Sequence, residues 1–123
     1  MKMMVVDDSA IMRRAIERYS SGLGLEVVAR AKDGEEALRA FRAQRPELIT
    51  LDITMPKMDG LATLKQIMTE APSTRVLVIT ALSDSATGIK ALKMGAKGFM
   101  NKPFDESELV EELRHVMQME DAS

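Results

Sequence analysis

Five polar residues, from four widely separated segments of the chain, have side chains suited to phosphoryl chemistry. They are Asp7, Asp8, Asp52, Thr80 and Lys102, and each follows or ends a short apolar run. If those runs are parallel strands, the five side chains meet at one edge of a sheet. Clustered carboxylates repel one another unless a cation intervenes, and one divalent cation with Lys102 would balance three aspartates. The spacing therefore predicts a magnesium-assisted phosphoryl site with a carboxylate as the candidate acceptor.

The neighbours of these residues fit the same chemistry. A lysine ammonium and a threonine hydroxyl suit phosphate oxygens, so Lys102 and Thr80 are the predicted phosphoryl contacts. Ala81, directly after Thr80, has no bulk to obstruct an incoming phosphoryl group. We therefore include Ala81 in the predicted phosphoryl pocket.

The composition excludes several other kinds of site. The 123 residues contain no cysteine and one histidine, His115, so disulfides, thiolate ligands and cysteine nucleophiles are excluded. Imidazole-rich metal sites are also disfavoured, which leaves a hard, oxygen-bound metal: Mg²⁺, with Mn²⁺ as an alternative.

The charge and hydropathy of the chain bear on its partners. A net charge of -2 argues against nonspecific binding to nucleic acid or anionic membranes. The apolar runs fall short of the ~20 residues that a membrane span needs, and no signal-peptide pattern is present. We expect a cytoplasmic protein that binds neither nucleic acid nor membrane.

Five apolar runs alternate with five amphipathic stretches, and this alternation predicts how the chain is organised. The predicted strands cover residues 2–6, 25–31, 47–51, 75–80 and 97–100. A (βα)₅ order predicts a doubly wound α/β domain with a mostly parallel sheet and helices on both faces. No linker or repeat marks a second domain, so we expect one domain over residues 1–123 without an output domain.

Helix starts are predicted from acidic and hydroxyl residues. Asp33 with Glu36, and Asp105 with Glu108, have the spacing of capping boxes. Asp59 and Ser83 are the predicted caps of the third and fourth helices.

Four stretches of sequence resemble the receiver domain of two-component response regulators, most closely the single-domain chemotaxis (CheY-like) type. They are VVDDS at 5–9 with MRR at 12–14, LDITMPKMDG at 51–60, VITA at 78–81, and GAKGFMNKPF at 95–104. The resemblance covers nearly the whole chain, and it implies the flavodoxin-like strand order 2-1-3-4-5.

The resemblance also implies a role for each site residue. Asp52 is similar to the phosphoacceptor. Asp8 and Asp52 resemble the carboxylates that contact Mg²⁺, with the Thr54 main-chain carbonyl as a further ligand and Asp7 acting largely through water. These residues form the implied metal and acceptor site.

Three further residues resemble parts of the family's switch. Thr80 resembles the hydroxyl that moves toward the phosphoryl group, and Lys102 the lysine that contacts it, with Pro103 following in a cis peptide. Phe99 stands at the position of the aromatic switch, where the best-known chemotaxis members have tyrosine. The phenolic hydroxyl is lost, and the phenyl ring is expected to favour burial even without phosphate.

The implied function is a stand-alone regulator phosphorylated by a sensor histidine kinase. Its signal would pass through the surface of the fourth helix, fifth strand and fifth helix to a downstream protein, for which a flagellar motor switch is one candidate. We expect a monomer, with association on phosphorylation as an alternative. Other functions left open are a phosphorelay or phosphate-sink receiver and the isolated receiver of a larger regulator such as a methylesterase.

Two rival hypotheses differ in class. A Mg²⁺-dependent aspartyl-phosphate phosphatase of the haloacid dehalogenase kind needs an acid two residues after its nucleophile, where this chain has Thr54 after Asp52. A degenerate receiver that only binds proteins should have lost members of the acidic site, yet all of them are present.

Overall fold

The computed structural model describes residues 1–54, 60–81 and 84–119, and these form a parallel sheet flanked by helices. The sheet has five strands in the order β2-β1-β3-β4-β5, and every neighbouring pair is parallel. The strands are β1 (Lys2–Val6), β2 (Glu26–Ala31), β3 (Leu48–Asp52), β4 (Arg75–Ala81) and β5 (Gly98–Lys102). The predicted fold class and strand order are confirmed.

Helices cover both faces of the sheet, and each face has its own apolar core. The α-helices are α1 (Ala10–Ser20), α2 (Gly34–Gln44), α3 (Gly60–Glu70), α4 (Ser85–Lys93) and α5 (Glu106–Gln118), and a short 3₁₀ turn follows α1. Along β1, Met4 and Val6 pack with the apolar residues of α2, α3 and α4, whereas Met3 and Val5 pack with those of α1 and α5. This alternation is what a strand buried on both faces requires.

Side-chain caps fix where most of these helices begin. Ser9 accepts a hydrogen bond from the Met12 amide at the start of α1, and Asp33 caps α2. Asp105 and Glu108 form a complete capping box on α5. The Ser83 prediction is wrong, because Asp84 caps α4 through the Thr87 amide. Asp59, the predicted cap of α3, lies outside the described residues.

The last two strands run further than the hydrophobic pattern predicts. β4 continues through Ala81 and β5 through Lys102, with Thr80 opposite Asn101 and Ala81 opposite Lys102. Ladder hydrogen bonding therefore places polar residues of β5 beside the end of β4. In the described part of the chain, no helix is long and apolar enough to cross a membrane.

Candidate functional site

Three carboxylates from two strand ends meet at the carboxyl edge of the sheet. Asp7 and Asp8 follow β1 and Asp52 ends β3, and one carboxylate oxygen from each lies within 4.8 Å of the others. Asp7 and Asp52 are 0% and 1% exposed, whereas Asp8 is open to solvent. Because buried like charges repel and lose hydration, this arrangement requires positive charge close by.

Lys102 supplies part of that charge by bridging the two buried carboxylates. Its Nζ donates to Asp7 Oδ2 at 2.8 Å and to Asp52 Oδ2 at 2.9 Å. Partial burial opposes its charge, but the bonds to the two carboxylates outweigh this and raise the pKa of Lys102. The lysine is therefore a fixed cation between Asp7 and Asp52.

Hydrogen bonds from neighbouring residues hold both the side chain and the backbone carbonyl of Asp7. Its Oδ1 accepts from the Ser9 amide at 2.9 Å, and its carbonyl accepts from Arg13 Nη1 at 2.7 Å. Burial raises the pKa of Asp7, although the hydrogen bonds from Lys102 and Ser9 oppose the shift. The protein thus holds a carboxyl group in a place that disfavours its ionised form.

Both carboxylate oxygens of Asp52 accept hydrogen bonds, each from a different residue. Oδ1 accepts from the Thr54 amide at 2.8 Å and from the Thr54 hydroxyl at 2.6 Å, while Oδ2 faces Lys102. These bonds fix the orientation of the carboxylate. The side-chain bond of Thr54 was not predicted, and the proposed metal contact of its main-chain carbonyl stays a prediction.

Thr80 is joined to Asn101 across the ends of β4 and β5. Asn101 Nδ2 donates to Thr80 Oγ1 at 2.8 Å and to the Ala81 carbonyl at 3.0 Å, and Thr80 itself is fully buried. No role for Asn101 in the site was predicted from the sequence. Only the strand register, which sets Thr80 opposite Asn101, could have indicated the contact.

Phe99 and Ala81 complete the set of predicted residues. Phe99 is half-buried and packs against the core beneath α2, α3 and α4, with its ring over Gly88 of α4. Ala81 is exposed at the end of β4. The Lys102–Pro103 peptide is cis, as the family resemblance implied.

The donor set of this site fits a hard divalent cation. It offers carboxylate oxygens from three aspartates, of which Asp8 is exposed. Asp7 and Asp52 are buried and share the single positive charge of Lys102. Oxygen-only donors with access to water suit Mg²⁺, which keeps several waters and takes one or two carboxylates. The residues present therefore fit the metal expected from the sequence.

The fold and the site together define a flavodoxin-like α/β domain with an acidic, lysine-bridged centre at the carboxyl edge of its sheet. The family model described as the response regulator receiver domain matches residues 3–114, and the chain belongs to this family. Chemotaxis protein CheY of Listeria monocytogenes is 41% identical over 113 residues, which is 92% of this chain and 95% of that protein.

Solved structures agree with this assignment. The response regulator domain of Thermotoga maritima CheB is 37% identical, with a TM-score of 0.85 and 98% of each chain covered. CheY in a CheX-CheY-BeF₃-Mg complex from Borrelia burgdorferi is 32% identical, with a TM-score of 0.89 and coverage of 96% of this chain and 90% of that one. The chain is thus a CheY-like receiver domain of two-component signalling, a signalling domain rather than a classical enzyme.

Proposed function

We propose that this protein is a stand-alone response regulator whose Asp52 accepts a phosphoryl group from a phosphohistidine of a sensor histidine kinase. The observation that carries the proposal is the Lys102 ammonium, bonded at once to Asp7 and Asp52 beside the exposed Asp8. A buried carboxylate at the end of a central strand, with a fixed cation beside it, has the nucleophile and the charge that phosphoryl transfer needs.

In the proposed reaction, a carboxylate oxygen of Asp52 attacks phosphorus. The new P–O bond forms an acyl phosphate as the P–N bond to the kinase imidazole breaks, and the imidazole leaves with the electron pair. Lys102 stabilises negative charge on the phosphoryl oxygens, and Thr54 holds the other carboxylate oxygen in place. Ala81, at the exposed end of β4, leaves room for the phosphoryl group.

Asp7, Asp8 and Asp52 are the proposed metal ligands, with the Thr54 main-chain carbonyl as a fourth and Asp7 reached through water. When bound, Mg²⁺ or Mn²⁺ supplies positive charge to the transferring phosphoryl oxygens. The acyl phosphate is later hydrolysed within the domain, as water attacks phosphorus, inorganic phosphate leaves and the Asp52 carboxylate is restored.

The proposed output is a change in the surface formed by α4, β5 and α5. Phosphorylation draws the Thr80 hydroxyl toward Asp52 and away from Asn101, and Phe99 shifts in response. A cavity of about 420 Å³ on this surface is lined by Phe99, Met100, Asn101, Pro103, Glu108, Glu111 and Glu112. Switch residues thus line a concave surface that a partner protein can contact.

The proposed setting is chemotaxis or motility, with a separate protein target such as a flagellar motor switch and a monomeric regulator. Similarity to chemotaxis CheY proteins over nearly their whole length supports this setting. The 41% identity over 124 residues to a protein-glutamate methylesterase/protein-glutamine glutaminase of Archaeoglobus fulgidus favours a second candidate, the receiver of a methylesterase.

The proposal is tested by incubating the protein with acetyl phosphate and Mg²⁺ and measuring its intact mass. We expect a gain of one phosphoryl group that is lost with EDTA and in Asp52→Asn. A gain that persists in Asp52→Asn would place the acceptor elsewhere, and steady turnover of free phosphate esters would favour the phosphatase hypothesis.

A further inference from the structure

The ring of Phe99 lies directly against the backbone of a helical glycine. Gly88 is buried in the middle of α4 and faces the Phe99 ring of β5. A Cβ atom built on Gly88 would lie 2.3 Å from Cδ2, 2.6 Å from Cε2 and 2.7 Å from Cγ of Phe99. The ring therefore occupies the volume that any other side chain at this position would fill.

Neither backbone can move aside easily to relieve such a clash. Phe99 lies in β5, where it is paired with Val78 of β4. On α4, Ala91 is fully buried one turn after Gly88, and Asp84 caps the first turn through Thr87. Rotating the side chain of Phe99 costs less energy than moving either backbone. A side chain at residue 88 would therefore turn the ring away from the helix.

A glycine at this position also has a cost. Glycine in a helix interior is less favourable than alanine because it gains more backbone freedom on unfolding. The helix gains nothing locally from Gly88, whereas the packing of Phe99 depends on it.

We propose that Gly88 is the positioning residue for Phe99: the absence of a side chain at residue 88 holds the ring inward between α4 and β5. The identity of residue 88 thereby sets the balance between inward and outward ring positions, and with it the shape of the α4-β5-α5 surface. The signalling consequence rests on the proposed function, whereas the packing relation does not.

The position of the ring can be read directly by fluorine NMR. The chain has three phenylalanines, so incorporation of 4-fluorophenylalanine gives three resonances, and the one missing in Phe99→Leu belongs to Phe99. We expect Gly88→Ala to increase the H₂O/D₂O solvent isotope shift of the Phe99 resonance at least twofold, because the ring becomes more exposed. An unchanged shift would overturn the proposal.

Ala86→Gly is the matched control, because Ala86 is an exposed residue of the same helix. It weakens α4 without filling the space under Phe99. We expect the Phe99 resonance to keep its wild-type isotope shift. An equal increase in Ala86→Gly and Gly88→Ala would mean that loosening of α4 alone moves the ring, and would overturn the proposal.

Urea denaturation gives a second measurement, which can be interpreted even if Gly88→Ala folds poorly. We expect Gly88→Ala to lower the denaturation midpoint when Phe99 is present and to raise it in a Phe99→Ala background, where only helix propensity remains. A lowered midpoint in both backgrounds, or a double variant that does not fold, would overturn the proposal.

Phosphorylation of the same variants separates this inference from the proposed function. We expect Gly88→Ala to take up one phosphoryl group from acetyl phosphate, as the wild type does, because residue 88 does not touch the carboxylates. If the wild type takes up none, the proposed function fails while the ring measurements still decide the role of Gly88.

Discussion

At the residue scale, the chain buries polar groups that a purely structural domain would avoid. Asp7, Asp52 and Thr80 are all almost fully buried at the carboxyl ends of strands, where each is hydrogen-bonded. Thr50 is the exception within the described residues, because its buried hydroxyl has no hydrogen-bond partner. Asp7, Asp52 and Thr80 belong to the candidate site, whereas Thr50 lies within β3, two residues before Asp52.

Replacing Thr50 with valine should raise the free energy of unfolding by about 1 kcal/mol, because an unsatisfied buried hydroxyl is removed at nearly constant shape. Urea denaturation of Thr50→Val measures the change. Thr80→Val is the matched control and should be destabilising, because it removes the bond with Asn101. Equal effects of the two variants would contradict this account of Thr50.

The stability of the metal-free protein should depend on pH through Asp7. Burial raises the pKa of Asp7, so the folded protein binds this proton more tightly than the unfolded chain does. The contribution of Asp7 to stability therefore falls as pH rises through the interval between its unfolded and folded pKa values, and the loss is complete above the folded pKa.

Asp7→Asn lacks this titration. In EDTA, we expect its free energy of unfolding relative to wild type to increase as pH rises from about 4 toward 7. Denaturant midpoints across this range measure the difference. A difference that stays constant, or that shrinks with rising pH, would contradict the burial-raised pKa.

At the scale of elements, hydrophobic periodicity was enough to predict the five strands and five α-helices that the described residues form. Hydrophobic alternation is a local property, so it can be read without knowing the fold. The ends of β4 and β5 could not be read this way, because Asn101 and Lys102 are polar and join β5 only by pairing with β4. The contact between Asn101 and Thr80 depends on that register, and for this reason it was missed.

Close approaches between elements are equally invisible in the sequence. A Cβ atom on Gly60, the first residue of α3, would lie 2.4 Å from the Ile53 Cα atom, and Ile53 directly follows the proposed acceptor. A glycine at this position lets α3 begin against the backbone that carries Asp52. Sequence spacing alone predicted a helix start here, without the reason for glycine.

Gly60→Ala should lower the free energy of unfolding by about 1 to 3 kcal/mol, because the added methyl group meets backbone that cannot rotate away. The urea midpoint measures the loss. Gly22→Ala is the control, since a Cβ atom there meets nothing within 4 Å. A Gly60→Ala variant as stable as Gly22→Ala would show that α3 shifts freely and would contradict this packing.

At the scale of the whole molecule, the acidic site and the α4-β5-α5 surface share the ends of two paired strands. Asp52 contacts Lys102, Thr80 contacts Asn101, and Phe99 precedes both partners on β5. Asp52, Thr80 and Lys102 were predicted from their places at the strand ends, and Phe99 from the family resemblance, whereas Asn101 was not predicted. The contacts of Thr80 with Asn101 and of Phe99 with Gly88 could be seen only in the structure, because they depend on strand register and side-chain direction.

If chemistry at Asp52 is transmitted to this surface, amide NMR spectra with and without beryllofluoride and Mg²⁺ will show it. We predict that this phosphoryl mimic shifts the amides of Gly88, Phe99 and neighbouring residues of α4 and β5, as well as those at the acidic site. Asp52→Asn should abolish both sets of shifts. Shifts confined to residues that touch Asp52, such as Thr54 and Lys102, would contradict the account.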